Sequence, residues 1–526
     1  MLERGAVDLV SKVYSMGLFG MNAYMVEVEA DLSSGLPRFD LVGLPDSSVG
    51  ESRERVRSAI KNCGLEFPVS RITVNLAPAD FKKEGPIYDL PIFVALLLSS
   101  GQLRCQTDGC AFLGEVSLGG DIRQINGVLP MVIRAKNFGI ANVFIPFGNS
   151  AEACVVDGIN VFPVHNIKEL LAHLDGTEPL TACVAENFET LDDTAVLPDF
   201  CEVKGQFEAK RALEVAAAGG HNVMMIGPPG SGKSMLAKRL PSIMPEMSFE
   251  ESIETTEIYS VAGALKGDVS LITQRPFRSP HHTVSPAGLS GGGAIPKPGE
   301  ISLSHNGVLF LDELPEFSRS SMEILRQPIE DGVITISRAA GSLSYPCSVM
   351  LVCAMNPCPC GFFGHPTRRC TCPSGAAARY LARVSGPLLD RIDIHVEVAP
   401  VEFEQLSDES CGEKSVQIRT RVNEARKLQR QRFEGTYINC NARMSSTMVR
   451  DFCKLTPPAK AMLKDAFEHL GLSARAYDKV LKIARTVADL DKCDIIDTKH
   501  IAEAIQYRSL DTSFGKNEFL ISDEPF

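Results

Sequence analysis

Long hydrophobic runs are absent from this chain of 526 residues. No stretch approaches the roughly 18 apolar residues of a membrane span, so no membrane partner is expected. The opening residues, Met1 to Asp8, lack the apolar core of a secretory signal, which predicts a cytoplasmic chain. In that reducing compartment disulfides are not expected, and the 16 cysteines read as reduced core thiols or metal ligands. A basic excess is missing as well. With a formal net charge of −12 the surface as a whole does not attract nucleic acid, so any such contact needs a local basic patch or a pore. What is present is a globular composition, 44% hydrophobic and 22% charged. The length exceeds one ordinary core, which predicts roughly two to four domains.

The clearest motif is Gly227-Pro228-Pro229-Gly230-Ser231-Gly232-Lys233-Ser234, which satisfies G-x-x-x-x-G-K-[ST] at every fixed position. Asn222 to Ile226 before it reads as a buried strand, and Met235 to Leu240 after it as the first turns of a helix. In that context the glycines let the backbone wrap phosphates, and N–H groups at the helix start point at the anion. Lys233 would reach the β- and γ-phosphates of ATP, and Ser234 would hold Mg2+.

Upstream, Ala23 to Glu29 and Arg71 to Leu76 alternate as strands. Asp46 to Asn62 reads as a helix capped at Ser47 or Ser48, with Val49, Val56 and Ile60 on one face. A buried helix is predicted at Leu90 to Leu98, and Phe112 to Leu118 and Val143 to Pro146 add strands around another helix. This α/β domain, residues 1–176, resembles the proteolytic domain of Lon-type proteases, a ribosomal S5 domain 2-like fold. The likeness rests on Lys83-Glu84-Gly85-Pro86 before an apolar helix, and on Gly114-Glu115-Val116 leading to Asn126-Gly127-Val128-Leu129. A Ser–Lys dyad needs a hydroxyl nucleophile and an amine base. Ile87 stands in the serine's place and Leu129 in the lysine's, so the domain reads as non-proteolytic, used for assembly or partner contact. A polar, acidic linker, residues 177–199, follows.

Three features lie downstream of the phosphate loop in the order an AAA+ ATPase requires. Gly307 to Glu313 is an apolar strand ending in two acids. Asp312 would bind the Mg2+ shell and Glu313 orient the attacking water. Val349 to Asn356 is a strand whose terminal amide can hold the water or the γ-phosphate; a turn residue at a strand end is the other reading. The third is Pro387-Leu388-Leu389-Asp390-Arg391-Ile392-Asp393. This segment is similar to that of magnesium-chelatase motor subunits and minichromosome-maintenance helicases. With Ser279-Pro280-His281-His282-Thr283, the chain from about residue 5 to 510 resembles the ComM/YifB family of Mg-chelatase-like AAA+ proteins with a Lon-like N-terminal domain.

The resemblance implies a parallel-sheet P-loop core at 200–398 and a C-terminal helical lid at 399–526. It implies a homo-oligomeric ring, a hexamer, in which Arg391 enters the neighbouring subunit's site. The alternative for Arg391 is an ion pair with Asp390 or Asp393. Leu472 to Tyr477 matches the family's second sensor, which places Arg475 on the γ-phosphate. The activity implied is an ATP-driven DNA translocase or helicase acting on single-stranded or branched DNA in branch migration. A protein-remodelling motor is the alternative. A metal-chelatase subunit ranks last, because no D-x-S-x-S metal site is found in the sequence.

Tyr259 to Glu300, rich in Gly, Pro and Ser, is too long for a plain connection. The resembled clade has a pore-facing insert here; His281 and His282 read as loop packing ahead of metal ligands. Gly332 to Arg338 and Ser342 to Tyr345 flank Ala339-Ala340-Gly341 as a hairpin. Arg338 near its tip is a candidate phosphate contact to DNA, or a solvated turn residue. Cys358, Cys360, Cys370 and Cys372 are four thiols suited to a closed structural Zn2+ site, with His365 as a substitute ligand. Arg368 and Arg369 beside them would ease thiolate formation and face DNA. In the lid, the Arg-rich run Ser415 to Phe433 reads as a solvated helix face. Helices follow near Pro457–His469, capped by Thr456, at Ala474–Leu490, and from an Asp497 cap to Tyr507. Glu518 to Phe526 reads as a frayed acidic tail.

Overall fold

The computed structural model describes residues 10–183, 197–265, 269–293, 296–338, 341–401, 412–436, 438–470 and 473–508. Most of the predicted linker, the Arg338 side chain with its hairpin tip, and the acidic tail lie outside the described residues. The chain forms two compact units. The first takes residues 1–192 together with 249–272 and 337–345, and the second takes the rest.

The first unit is built on a seven-stranded mixed sheet. Its order is Arg38–Val42, Arg71–Ala77, Asn22–Ser33, Val10–Phe19, Cys110–Phe112, Asn142–Pro146, Asn160–Val164. The long hairpin Val10–Phe19/Asn22–Ser33 is antiparallel, with Val13 opposite Val28. Alternation buries Val26, Val28 and Ala30 on one face, the period-2 pattern of a half-buried strand. Helix Asp89–Ser99 is apolar on all sides because it is buried on all sides, from Leu90 through Leu97. Each such side chain contributes about 1.5–3 kcal/mol of burial. The helix expected from Asp46 divides into Ser47–Gly50 and Ser52–Asn62. Its cap is Asp46, whose carboxylate accepts from the Val49 N–H at 2.7 Å; a carboxylate at that distance outcompetes the neighbouring serines. Helix Phe249–Ala262 runs into the start of the Gly-rich segment and packs on helix Val128–Asn137.

The expectation of reduced thiols throughout is corrected at one pair. Cys154 and Cys183 are disulfide-bonded across 29 residues, with Cα atoms 5.6 Å apart. The strand pairing that sets the Cys183 N–H on the Val161 carbonyl brings the two sulfurs together, which no local pattern discloses.

The second unit carries a five-stranded sheet in the order Phe277–Arg278, Val308–Leu311, Met350–Met355, Val223–Ile226, Ile394–Glu397. Every pair is parallel, and the three central strands, Val308–Leu311, Met350–Met355 and Val223–Ile226, are buried throughout and read as unbroken apolar runs. Asn222 fixes the register of three segments. Its amide oxygen accepts from Leu351 N–H at 2.8 Å, its amide nitrogen donates to the Arg391 carbonyl at 3.2 Å, and its backbone N–H meets Asp393 at 3.2 Å. Helix Phe207–Gly219 ends at Gly220, whose φ of +72° is the left-handed cap that glycine supplies. Helices Ser415–Arg432 and Ala474–Leu490 pack against it.

The basic helix face is less solvated than its composition suggests. Arg421 pairs with Glu214 and Glu413, Arg432 with the buried Asp489, and Arg426 donates to the Ala217 carbonyl. These pairs tie the helix to its neighbours because the arginines sit at the edge of its apolar stripe. Thr456 and Asp497 cap as expected: Ala459 N–H reaches Thr456 Oγ1 at 3.4 Å, and helix Thr498–Gln506 starts at Asp497.

Candidate active site

The register of the parallel strands brings the site together. Ile226 lies opposite Met355, so Gly227 and Asn356, the next residue on each strand, leave the sheet side by side. Ligand sites of such sheets lie at these carboxyl ends. Gly230 and Gly232 have φ of +80° and +95°, backbone that only glycine adopts without strain, and helix Lys233–Arg239 starts directly after. Gly227 passes so close to the Val398 carbonyl that a Cβ would sit 2.2 Å from its oxygen.

Lys233 is buried, and its Nζ donates to the carbonyls of Gly227 at 2.7 Å and Pro228 at 2.9 Å and to Asn356 Oδ1 at 3.2 Å. Burial lowers its pKa, while Asp312 and Glu313 oppose the shift. Ser234 Oγ donates to Asp312 Oδ2 at 2.5 Å. That hydroxyl–carboxylate pair is a ligand set suited to Mg2+, which takes one or two protein oxygens and keeps the remainder for phosphate and water. Glu313 has φ of +53°, a left-handed conformation that a non-glycine residue holds only under constraint, and its side chain is half exposed. Lys233, Ser234, Asp312, Glu313 and Asn356 are thus gathered at one end of the sheet.

The two expected arginines are not in this group. Arg391 Nη2 lies 2.6 Å from Glu330 Oε1, Nη1 donates to the Pro387 carbonyl at 2.6 Å, and Nε donates to the Arg326 carbonyl at 3.2 Å. Its ion-pair partner is Glu330, where the sequence offered Asp390 or Asp393. Asp393 is engaged elsewhere, by Lys479 at 3.1 Å and His221 at 3.4 Å. Burial opposes its ionisation, but these two groups outweigh it and hold the carboxyl well below its usual range. Arg475 follows the Ser473 cap of helix Ala474–Leu490; it is mostly exposed, with Nη1 3.8 Å from Asp390 Oδ2. Neither arginine lines the cavity of about 410 Å³ beside the phosphate loop, which is bounded by Pro229 to Gly232, Glu202 to Lys204 and Pro400.

Two residues gain a place that the sequence left undecided. His282 Nδ1 stands 3.6 Å from Glu313 Oε2, and its ring packs on His281 at 4.0 Å and edge-on to Phe317. Gln206 donates from Nε2 to the Ser231 carbonyl at 3.1 Å and the Ala399 carbonyl at 2.6 Å, tying the phosphate loop to the start of the lid. The His-His phrase was the signal available for the first; nothing marked Gln206.

The four cysteines converge. Cys358, Cys360, Cys370 and Cys372 place their sulfurs within 4.8 Å of one another. Cys358 Sγ is 3.4 Å from Cys360 and 3.8 Å from Cys370, and Cys360 is 3.5 Å from Cys370. A tetrahedron with Zn–S bonds of about 2.3 Å has edges of about 3.8 Å, so the set fits zinc. Burial raises the Cys360 thiol, but N–H groups of Phe362 and Thr371 outweigh it and hold the thiol well below its ordinary range. Cys347 and Cys353 behave as core thiols: burial pushes Cys347 up to about 12 and Cys353 higher still. His365 is not turned to the cluster; its Nδ1 accepts from the Thr367 and Arg368 N–H groups at 3.1 and 3.0 Å.

In the first unit, Ile87 and Leu129 are buried side chains. The Leu129 N–H donates at 3.3 Å to Glu152, a buried carboxylate that also accepts from Asn149 at 2.6 Å and from Ser260 Oγ. Burial raises the Glu152 pKa against those hydrogen bonds.

A phosphate loop, a Ser–Asp pair, a paired acid and a strand-end amide on a parallel sheet define a P-loop ATPase core of the Mg-chelatase-like AAA+ class. Family models agree. Magnesium chelatase, subunit ChlI, matches residues 199–406; the subunit ChlI model matches 28–149; and its C-terminal model matches 412–508. The chain is 43% identical over 501 residues to the uncharacterized protein YifB of Salmonella typhimurium, covering 95% of this chain and 97% of that one. It is 42% identical over 505 residues to the competence protein ComM of Haemophilus influenzae, again covering 95% and 97%. The chain belongs to the YifB/ComM family. A weaker likeness, 26% over 181 residues, links 32% of the chain to 23% of a Lon protease from Mycolicibacterium smegmatis. The family implies ATP and Mg2+ as ligands. No helix among the described residues is long and apolar enough to cross a membrane.

Proposed function

We propose that this protein is a ring-forming, ATP-driven motor that translocates on DNA and promotes branch migration in recombination or natural transformation. The observation that carries the reading is a hydrolytic site complete except for an arginine. Lys233, Ser234, Asp312, Glu313 and Asn356 converge, while Arg391 is engaged by Glu330 and by the carbonyls of Pro387 and Arg326; on this reading it serves the phosphate loop of a second copy. The working form is then a homo-oligomer, a hexameric ring, with Arg391 on the face that meets the neighbour's nucleotide and Arg475 reaching back from the lid to the γ-phosphate of its own chain's site. An arginine supplied in trans is worth on the order of 10³–10⁵ in rate. Lys233 binds the β- and γ-phosphates, Ser234 and Asp312 hold Mg2+, Glu313 orients water, and His282 stands beside Glu313 to position it.

The DNA reading is supported by the two-stranded hairpin Val333–Arg338/Gly341–Pro346 directly before the Asn356 strand, with Arg338 at its tip as the phosphate contact. The name of the Haemophilus relative, competence protein, points the same way. The Lon-like unit is non-proteolytic on this reading and serves assembly, since Ile87 and Leu129 cannot transfer a proton. The deciding measurement is the ATPase rate of the assembled ring with and without forked DNA, for wild type, Lys233→Ala and Arg338→Ala. Stimulation in wild type, lost in both variants, supports the proposal. A ring that hydrolyses ATP yet responds to no DNA structure, and instead unfolds protein substrates, overturns it in favour of a protein-remodelling motor.

A further inference from the structure

The cysteine cluster and the phosphate loop touch. Gly361, between the paired cysteines and Phe362, turns with φ of +83°, and a Cβ on it would stand 2.5 Å from Pro229 Cδ. The loop between Cys360 and Cys370 therefore lies directly on the phosphate loop, in a conformation and at a distance that admit only glycine. Its residues Phe362, His365, Thr367 and Arg368 form one wall of the cavity of about 410 Å³ whose opposite wall is Pro229 to Gly232. Arg368 is exposed and lines that cavity; its guanidinium lies 5.3 Å from the Phe362 ring, which steadies it. His365 holds the turn that presents it, through the Thr367 and Arg368 N–H groups.

We infer that the four-cysteine cluster binds zinc in order to build the nucleotide site: the metal fixes the 361–369 loop as a wall over the phosphate loop, and Arg368 binds the nucleotide's phosphates from it. Four short-range thiolate ligands close a loop that has no regular secondary structure of its own between Cys358 and Cys372. Without the metal the loop loses the tie between its two cysteine pairs and with it the bond that fixes both of its ends. The guanidinium is a planar, permanently charged donor suited to phosphate oxygens, and it lines the same cavity as Pro229 to Gly232 of the phosphate loop. Zinc here takes no part in hydrolysis; with four protein ligands it has no open position.

The inference rests on the reading of Gly227–Ser234 as an ATP site, so the experiment separates the two. The full-length chain is purified with zinc present, its metal content is measured by mass spectrometry, and binding of a fluorescent ATP analogue with Mg2+ is titrated. Lys233→Ala tests the ATP site alone. Cys370→Ser/Cys372→Ser removes the metal; Gly361→Ala unseats the loop and Arg368→Ala removes the cation, both with the four thiols intact. The expected results are about one zinc per wild-type chain and loss of zinc in the double variant. Analogue Kd should rise roughly tenfold or more in that variant, and likewise in Arg368→Ala with its zinc retained. If the double variant does not fold, Arg368→Ala and Gly361→Ala carry the decision. Wild-type affinity in both of those, or tight binding by zinc-free chain, overturns the inference while leaving the ATP site standing. A wild-type chain that does not bind the analogue removes both.

Discussion

The engagement of Arg391 by Glu330, outside the group formed by Lys233, Ser234, Asp312 and Asn356, makes a quantitative prediction about mixed rings. Lys233→Ala leaves a chain with an intact arginine and a dead phosphate loop. Arg391→Ala leaves the reverse. Each alone should be inactive, because removing a trans arginine costs on the order of 10³–10⁵ in kcat. If every site takes its phosphate loop from one chain and its arginine from the next, a random one-to-one mixture leaves about one site in four with both groups intact. The mixture should therefore recover up to about a quarter of the wild-type ATPase rate per site, reduced to the extent that sites fire in concert. The structure also sets the cost of deploying the arginine. Its pair with Glu330 joins a nearly buried guanidinium to a half-exposed carboxylate, at 12% and 51% exposure. Solvent screening reduces such a pair to about 1 kcal/mol, small against the gain at the transition state. Glu330→Gln should accordingly raise wild-type turnover by at most about fivefold. The assay is steady-state phosphate release after the two chains are unfolded together and refolded, or mixed before ring assembly. Mixtures that stay as inactive as their components, in rings shown by mass to contain both chains, would refute an arginine shared between subunits.

Two further outcomes follow from named contacts. His282→Ala should lower kcat by about 10–100-fold with KM unchanged, because the imidazole beside Glu313 acts on the water-orienting acid and not on nucleotide binding; an equal rise in KM counts against this. Glu257 lies in helix Phe249–Ala262, and burial, aided by the nearby Glu254, pushes its pKa from 4.5 up to about 7. A carboxyl raised on folding binds its proton more tightly in the native state, so stability is greatest below the unfolded pKa and falls as pH rises between about 4.5 and 7. Glu257→Gln should leave Tm unchanged near pH 4.5 and raise it near pH 8; a rise of equal size at both pH values would contradict the assignment.

Much of the hydrolytic site was legible in the chain because its parts are local. A phosphate loop declares itself through glycines needed at fixed positions, and an apolar run ending in Asp312-Glu313 or Asn356 marks a buried strand and its exit. Parallel pairing then aligns those exits with no further information. The four cysteines were legible for a similar reason, since thiols that all lie between residues 358 and 372 can meet through turns alone. Helix caps were read less well: Asp46, and not the serines after it, took the Val49 N–H, a choice made by geometry of one turn. The solvated reading of the basic lid helix missed that Arg421 and Arg432 close on acids of other helices.

The sequence by itself determined the chemistry of this protein: a nucleotide site of the AAA+ class, a unit similar to part of Lon proteases, and a cluster of four thiols. Tertiary structure alone decided which of these act together. Glu330 holds Arg391, His282 meets Glu313, Ser260 reaches Glu152 within the first unit, and Gly361 sets the cysteine loop on Pro229. Each of these contacts joins segments distant in sequence, placed by strand order and loop path rather than by local propensity. A motif records what a segment can do to a ligand near it. Packing decides which ligand, and which other segment, it finds there.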